Sequence, residues 1–496
     1  MRNGHDGSFT LLFNRPAMFD RLFNAFSPRS QPWITRQSYT FELRNALTYP
    51  IAISMVEGGV VGILATKAFG VVPWQFAMIM AAPMFANMTS FLWAFLARGK
   101  RKIVAINVLQ VLALACIAGI AFLPTSPVGA VLLTLLVVLS RCLLSGVVTL
   151  RSTVWRMNYP RHVRAQVTGR LALINSLILG TAPLLGYFLL DLRPDAFRIV
   201  YPLSAALALL GVYAFSHVRL RGEKELLRYE ASPAARPLPH GMPGPIYEFD
   251  PKQAGEQAEG RPNFWTVLKR DAFFRSYMIW QFVAGAANMT SEVIIIYLIA
   301  DLTAELPLEY MLSILLSTAI PMALAVATMP LWAKQLDNMH VAQFRSRQGW
   351  YWITNQLANW VGAYLAFGVT GSVWPAVLVL VGARIVQGIT RGAGMLAWNL
   401  GHNDFADRRL VGIYMGIHVT LTGIRGAMVP FLGMGLYTGW HAIHLPGTDW
   451  VLLPSYAGLG YHVFLLTAAG AVAAEFGFKR LHHSISSHRG AGVPTD

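Results

Sequence analysis

The sequence predicts an all-α polytopic membrane protein, with twelve transmembrane helices in two parallel, pseudo-twofold-related halves of six. Three observations carry that prediction. Apolar residues make up 55% of the chain and charged residues 13%, with a mean hydropathy of +0.46, whereas a soluble domain is about a quarter charged. Apolar runs of roughly 20 residues, the length that crosses about 30 Å of hydrocarbon as a helix, recur along the chain. Short fragments of the first half also return in the second half, in the same order.

The spans fall at about 46–69, 74–97, 103–123, 128–150, 170–191, 197–217, 273–300, 309–333, 349–369, 373–397, 410–437 and 450–477. Alternation of the kind a membrane barrel requires is absent from them. Residues 1–45 precede the first span as a cytoplasmic segment. Residues 46–218 and 273–478 hold six spans each, residues 219–272 link them, and residues 479–496 form a tail. The first span lacks a following small-residue cleavage site and reads as an uncleaved start signal.

The net charge of +16 is distributed by side. Basic residues crowd the N-terminal segment, the connection "ARGKRK" after span two, the loop after span four (Arg156, Arg161, Arg164) and the central linker. The alternate connections "LPTSPVGA", "ADLTAELPLEY", "FGVTGSVW" and "TGWHAIHLPGTDW" hold no Lys or Arg. This is the positive-inside pattern, and it places both termini in the cytoplasm of a cell membrane, the inner membrane if the source is bacterial. The charge is thereby explained by topology and anionic headgroups, and no nucleic-acid partner is expected. Cys116 and Cys142 fall inside spans, so no disulfide framework is expected.

The linker, from "RLRGEKELL" to "EGRPNFW", is rich in Pro, Gly and charge and reads as flexible. Its end, "NFWTVLKRDAFF", is patterned as an amphipathic interfacial helix. The repeat is visible residue by residue. Arg141 and Arg384, Trp155 and Trp398, and Gly169 and Gly412 are each separated by 243 positions. "PLLG" at Pro183–Gly186 returns as "PFLG" at Pro430–Gly433, and "LWA" at Leu92–Ala94 returns at Leu331–Ala333. Six spans separate equivalent positions, so the halves share one orientation. Such parallel repeats place a pseudo-twofold axis along the membrane normal, with the site between the halves.

Two sets of six spans, a central loop and parallel halves resemble the major facilitator superfamily of secondary transporters over nearly the whole chain. The local motifs are degenerate. The family's loop after span two carries an aspartate before a basic run. Here "LARGKRK" keeps Arg98, Lys100, Arg101 and Lys102 without the acid, while the second-half loop "LWAKQLDNM" keeps Asp337 without the basic run. The resemblance implies a gating role for Arg98 and Asp337. It also aligns the family's antiporter motif better with Arg384-Ile-Val-Gln387-Gly388 of span ten than with Arg141 of span four.

A mid-membrane arginine costs about 2.5–3.5 kcal/mol on insertion scales and commonly faces a cavity or a partner. Arg141, Arg384 and Arg425 lie near mid-span, whereas Arg151 and Arg391 lie where they could snorkel to lipid phosphate. Arg384, Gln387, Arg391, Met395 and Trp398 recur every three or four residues, as do Arg141, Ser145, Thr149, Ser152 and Trp155, so each set lies on one helix face. Two acids, Glu57 of span one and Glu292 of span seven, complete the candidate set.

The resemblance implies that spans one, four, seven and ten line a central cavity. On that reading Arg141 and Arg384 are substrate clamps suited to carboxylate or phosphate, with Gln387, Trp398 and Asn288 as further contacts. Glu57 and Glu292 are then proton carriers. The alternative is that Glu57–Arg141 and Glu292–Arg384 are static pairs that only lock helix positions. Asn87, Gln281, Asn355, Gln356 and Trp360 are either packing or contact residues, and Arg425 and His418 read as packing support. The cluster His402-Asn-Asp404-Phe-Ala-Asp407 has a metal-like spacing but reads as loop turn and helix cap.

The expected function is a gradient-driven, proton-coupled transporter of a small anionic or zwitterionic solute. A drug or metabolite efflux antiporter of the same fold, or a non-transporting receptor or scaffold, are the alternatives. No Gly-x-x-x-x-Gly-Lys-[Ser/Thr] loop, His-Glu-x-x-His pair or Gly-x-Ser-x-Gly elbow occurs, so neither ATP-driven pumping nor an enzyme is expected. No cofactor and no metal are expected. The partners are a small-molecule substrate and the lipid bilayer, and the functional unit is a monomer.

Overall fold

A computed structural model of the chain describes residues 26–231, 264–369, 372–406, 411–444 and 451–490. The first half comprises α1 (Trp33–Met55), α2 (Gly58–Phe69), α3 (Pro73–Met88), α4 (Ser90–Leu96), α5 (Lys102–Gly119), α6 (Pro127–Asn158), α7 (Arg161–Leu192) and α8 (Phe197–Ser216). Linker helices α9 (Glu223–Ala231) and α10 (Phe264–Arg270) follow. The second half comprises α11 (Ala272–Leu302), α12 (Glu309–Ile314), a π turn at Leu315–Ala319, α13 (Ile320–Leu336), α14 (Val341–Phe367), α15 (Trp374–Leu400), α16 (Val411–Thr438) and α17 (Val463–Gly490). A short antiparallel pair, β1 (Ile443–His444) and β2 (Val451–Leu453), sits in the connection before α17.

Among the described residues, ten helical stretches are long and apolar enough to cross a membrane. Two further predicted spans fall outside that set for identifiable reasons. Span two is divided into α3 and α4 at Thr89. Span nine is α14, whose sequence carries Arg345, Arg347, Gln348, Asn355, Gln356 and Asn359. It packs on α15 and α17, which lets it hide much of that polarity from lipid.

The order of helix packing repeats. In the first half α1 packs on α7 and α8, α5 on α6 and α8, and α3 on α6. In the second half α11 packs on α16 and α17, α14 on α15 and α17, and α13 on α15. These are the same pairings shifted by six spans. Of the contacts between halves, α3 on α16 and α7 on α12 and α13 are exchanged by that shift, as a pseudo-twofold axis requires, and α2 also meets α11 and α12.

Small residues set several of the approaches. Gly388 and Gly392 place α15 against the backbone of α13, and a Cβ there would meet the Pro321 and Ala325 carbonyl oxygens at 2.8 and 2.7 Å. This is close small-residue packing of the kind that joins helices in lipid.

The hydrogen bonds and ion pair that join the two halves, among the described residues, lie at the end opposite the start of α1. Asp191 of α7 accepts the Tyr310 and Met311 amides at 2.8 and 2.9 Å. Lys67 of α2 donates to Glu309 at 2.7 Å. The Tyr187 and Tyr310 rings lie 6.2 Å apart beside them.

Helical structure begins earlier than hydropathy placed the first span, at Trp33. The extra turns carry Ser38, Glu42 and Asn45, all buried, and their polarity is why the run of apolar residues starts later. At the linker, Trp265 and Phe264 are exposed on α10 while Val267 is buried.

Candidate functional site

The first predicted span is two helices with a break between them. Glu57 has extended backbone, φ −64° and ψ 136°, and Gly58 and Gly59 follow it. Paired glycines favour such a break because they gain little from helix and allow the turn. The Val60 amide turns to the Glu57 carbonyl at 2.8 Å, which frees the Val56 carbonyl from its helical partner.

A freed carbonyl in a membrane interior needs another donor. Arg141 of α6 supplies it, with Nε at 3.0 Å and Nη2 at 2.5 Å from Val56 O. The same Nη2 lies 2.8 Å from the Glu57 carboxylate. Tyr201 of α8 donates to the adjacent Met55 carbonyl at 3.0 Å. The break, the acid and the arginine are thus one unit.

The equivalent place in the second half is built differently. Helix α11 runs unbroken through Glu292, whose neighbours include no glycine from Ala286 to Leu302. No main-chain oxygen is freed there, so Arg384 turns to side chains. It donates to Asn359 Oδ1 and to Gln387 Oε1, each at 2.6 Å. Gln387 in turn donates to Glu292. The direct Arg384–Glu292 separation is 3.7 Å, and Arg391 stands 3.8 Å from the other carboxylate oxygen.

Exposure divides the members of these clusters. The Glu57 and Glu292 side chains are 31% and 27% exposed and Arg391 is 36% exposed, whereas Arg384 is fully buried. The acids and Arg391 therefore face open space, while Arg384 works from inside the wall by holding Gln387.

The other expected site residues are placed elsewhere. Trp398 lies against His418, with ring centroids 5.4 Å apart, and its Nε1 points to Thr422 at 3.4 Å. Asn288 accepts from Gln356 at 3.1 Å. Neither touches the Arg384 cluster. Arg98 and Asp337 make no ion pair among the described residues. Asp404 caps α14 by accepting the Val341 amide at 2.7 Å. Asp407 lies outside the described residues, and no cluster of three or more potential metal ligands occurs among those described.

Two groups escaped the sequence reading. Arg151, expected to reach lipid phosphate, turns inward instead, donating to Asn45 beside the Phe215 ring. Glu42, buried at 1% exposure on the same helix as Asn45, accepts from Tyr159 and Trp155. Its position before the apolar run concealed it. The acid missing from the "LARGKRK" loop comes from the linker: Glu230 of α9 accepts the Gly99 amide and Lys102 Nζ, both at 2.7 Å, and Glu223 pairs with Arg101 at 3.4 Å. An acid 128 residues away leaves no local signal.

The family model described as Major Facilitator Superfamily matches residues 47–352. Among solved structures, a single-residue variant of the nucleoside transporter NupG is similar with a TM-score of 0.61 at 12% identity, over 90% of this chain and 99% of that one. The inward-open xylose transporter XylE from E. coli is similar with a TM-score of 0.52 at 12% identity, over 90% and 95%. The peptide transporter POT in complex with sulfate gives 0.57 at 15% identity, over 91% and 96%. At these identities the likeness is one of fold. A comparison with curated proteins returns no match.

Proposed function

We propose, from the premise that this chain belongs to the Major Facilitator Superfamily, that it carries a small anionic or zwitterionic solute by alternating access, coupled to protons. The observation that carries this reading is the pairing of a partly exposed carboxylate with an arginine on equivalent helices of both halves, Glu57 with Arg141 and Glu292 with the Arg384–Gln387–Arg391 set.

The chemistry follows from competition for the guanidinium. While Glu57 is ionised it occupies Arg141 Nη2. A proton arriving on Glu57 removes that claim and leaves the arginine fork for a carboxylate or phosphate of the solute. When the solute leaves, Glu57 regains Arg141 and releases its proton. In the second half, Arg384 holds Gln387 and Glu292 in register, and protonation of Glu292 frees Gln387 and Arg391 in the same way. Closing of the halves at the Asp191–Lys67 end, with opening at the other, supplies one limb of the cycle. The basic loops and the positive-inside rule put that closed end outside the cytoplasm.

Purified protein in proteoliposomes tests this with an imposed pH gradient. Gradient-driven flux is expected to be lost in Glu57→Gln and in Glu292→Gln while counterflow of the same solute persists. Full gradient-driven flux in both variants would refute the carrier assignment. Arg384→Lys keeps the charge but cannot hold Asn359 and Gln387 together, so by loosening Gln387 it should weaken solute affinity by about tenfold or more. Unchanged affinity would count against the arginine assignment.

A further inference from the structure

Inside the second half, between α11, α14, α15, α16 and α17, lies a cavity of about 220 Å³. Three charged side chains reach it: Arg345 of α14, Arg425 of α16 and Glu475 of α17. They are 8%, 5% and 2% exposed. None of the three forms an ion pair among the described residues.

Their hydrogen bonds leave capacity unused. Arg345 donates from Nη1 to Gln348 at 2.9 Å, and Arg425 from Nη1 to the Gln281 carbonyl at 2.7 Å. The Nε of each guanidinium has no acceptor, and the Gln281 side-chain oxygen has no donor. Glu475 accepts only from Ser346, at 2.9 Å, among the described hydrogen bonds. A buried guanidinium without a counter-charge costs several kcal/mol, and native proteins rarely leave such donors unsatisfied.

The first half shows that the fold does not need this arrangement. There the buried acid Glu42 accepts from Tyr159 and Trp155, and Arg151 donates to Asn45, so one acid stands with one base. In the second half two cations face one anion across a space several times the roughly 30 Å³ share of one water. The backbone also makes room for one of the cations. Gly285 of α11 lies under the Arg425 guanidinium, where a Cβ would come within 1.9 Å of Nη1.

We propose that this cavity is a binding site for a small oxyanion, a carboxylate or phosphate group, held between Arg345 and Arg425 inside the C-terminal bundle. Its Arg425 end is set apart from the Glu292–Arg384 cluster, Gly285 and Glu292 being seven residues apart on α11, about 10 Å along the axis, while Asn288 at its other end lies one turn from Glu292. Paired guanidinium groups are the fitting receptor for two oxygens of one anion. Glu475 on the opposite wall favours an anion that also carries an ammonium or hydroxyl donor. An occupant here would bridge α14, α16 and α17, and so would set the rigidity of the half that Arg384 anchors. Asn288 and Trp398 stand on the same wall.

The test uses the full chain in phosphatidylcholine nanodiscs, with binding followed by calorimetry and by melting temperature. Inorganic phosphate and succinate are titrated against chloride at equal ionic strength, and a parallel sample contains phosphatidylglycerol. Saturable stabilisation by a soluble oxyanion identifies a free ligand. Stabilisation by phosphatidylglycerol alone, lost in the arginine variants, identifies a lipid headgroup. In either case Arg425→Gln is expected to weaken binding at least 30-fold, with Glu230→Ala, at the linker, within about twofold of the parent. If Arg425→Gln does not fold, Arg425→Lys keeps the charge and loses the fork, and should weaken binding about tenfold. No stabilisation by any of the three anions, or affinity unchanged in the foldable Arg425 variant, overturns the proposal. Because Glu57 and Glu292 are not involved, loss of proton-driven flux in their variants leaves this result untouched.

Discussion

Asp191→Ala isolates the free energy that holds the two halves together at one end. Asp191 belongs to α7 in the first half, and the amides it accepts, Tyr310 and Met311, belong to α12 in the second. Those bonds exist only while the ends are closed, so their loss acts on one conformation. Hydrogen bonds to a charged group contribute about 1.5–3 kcal/mol each, which bounds the pair at about 3–6 kcal/mol. Asp191 and Met311 are only half-buried, and both recover water when the ends part, so we take about 2 kcal/mol as the net effect. At 1.4 kcal/mol per tenfold, the ratio of open to closed ends should rise about 30-fold. Spin labels at the exposed positions Thr125 and Ser372, in a background of Cys116→Ala and Cys142→Ala, would report that ratio by double electron–electron resonance. The Lys67–Glu309 bridge remains as a partial clamp. A change of less than about threefold would mean that the Asp191 bonds are equally satisfied in both conformations, and the argument would fail.

Three further outcomes follow from local geometry. Gly392→Ala puts a Cβ 2.7 Å from the Ala325 carbonyl oxygen, where neither backbone can yield, so it should lower stability by about 1–3 kcal/mol in thermal unfolding; an unchanged melting temperature would contradict the close α13–α15 approach. Tyr201→Phe removes the donor to the Met55 carbonyl beside the helix break and should cost about 1 kcal/mol, with faster hydrogen exchange confined to the residues around Glu57. Glu230→Ala removes the acceptor for Gly99 and Lys102; it should raise exchange in α9 and in the Arg98–Lys102 loop, while exchange in α11 to α17 stays as it was.

Hydropathy is a one-dimensional property, and it was enough to read the membrane class and most of the spans from the sequence. The repeat was legible for the same reason: Arg141 and Arg384, or Pro183 and Pro430, stand in matching order along the chain, and duplicated helices pack in duplicated pairs. The sequence also located Glu57, Arg141, Glu292, Arg384 and Arg425, because each is an exception in an apolar run, but Arg345 of α14 and Glu475 of α17 went unread.

What the arginines hold was decided only in three dimensions. Arg141 meets a carbonyl freed by the Glu57 break, whereas Arg384, opposite an unbroken α11, is satisfied by Asn359 and Gln387. The partners lie 84 residues apart for Arg141 and Glu57, 95 for Gln387 and Glu292, and 128 for Lys102 and Glu230. Helical periodicity can assign a side chain to a face, but it says nothing of which distant element that face will meet. Where the polar residues precede the apolar run, as with Glu42 and Asn45, or are spread over three helices, as with Arg345, Arg425 and Glu475, packing alone brings them together.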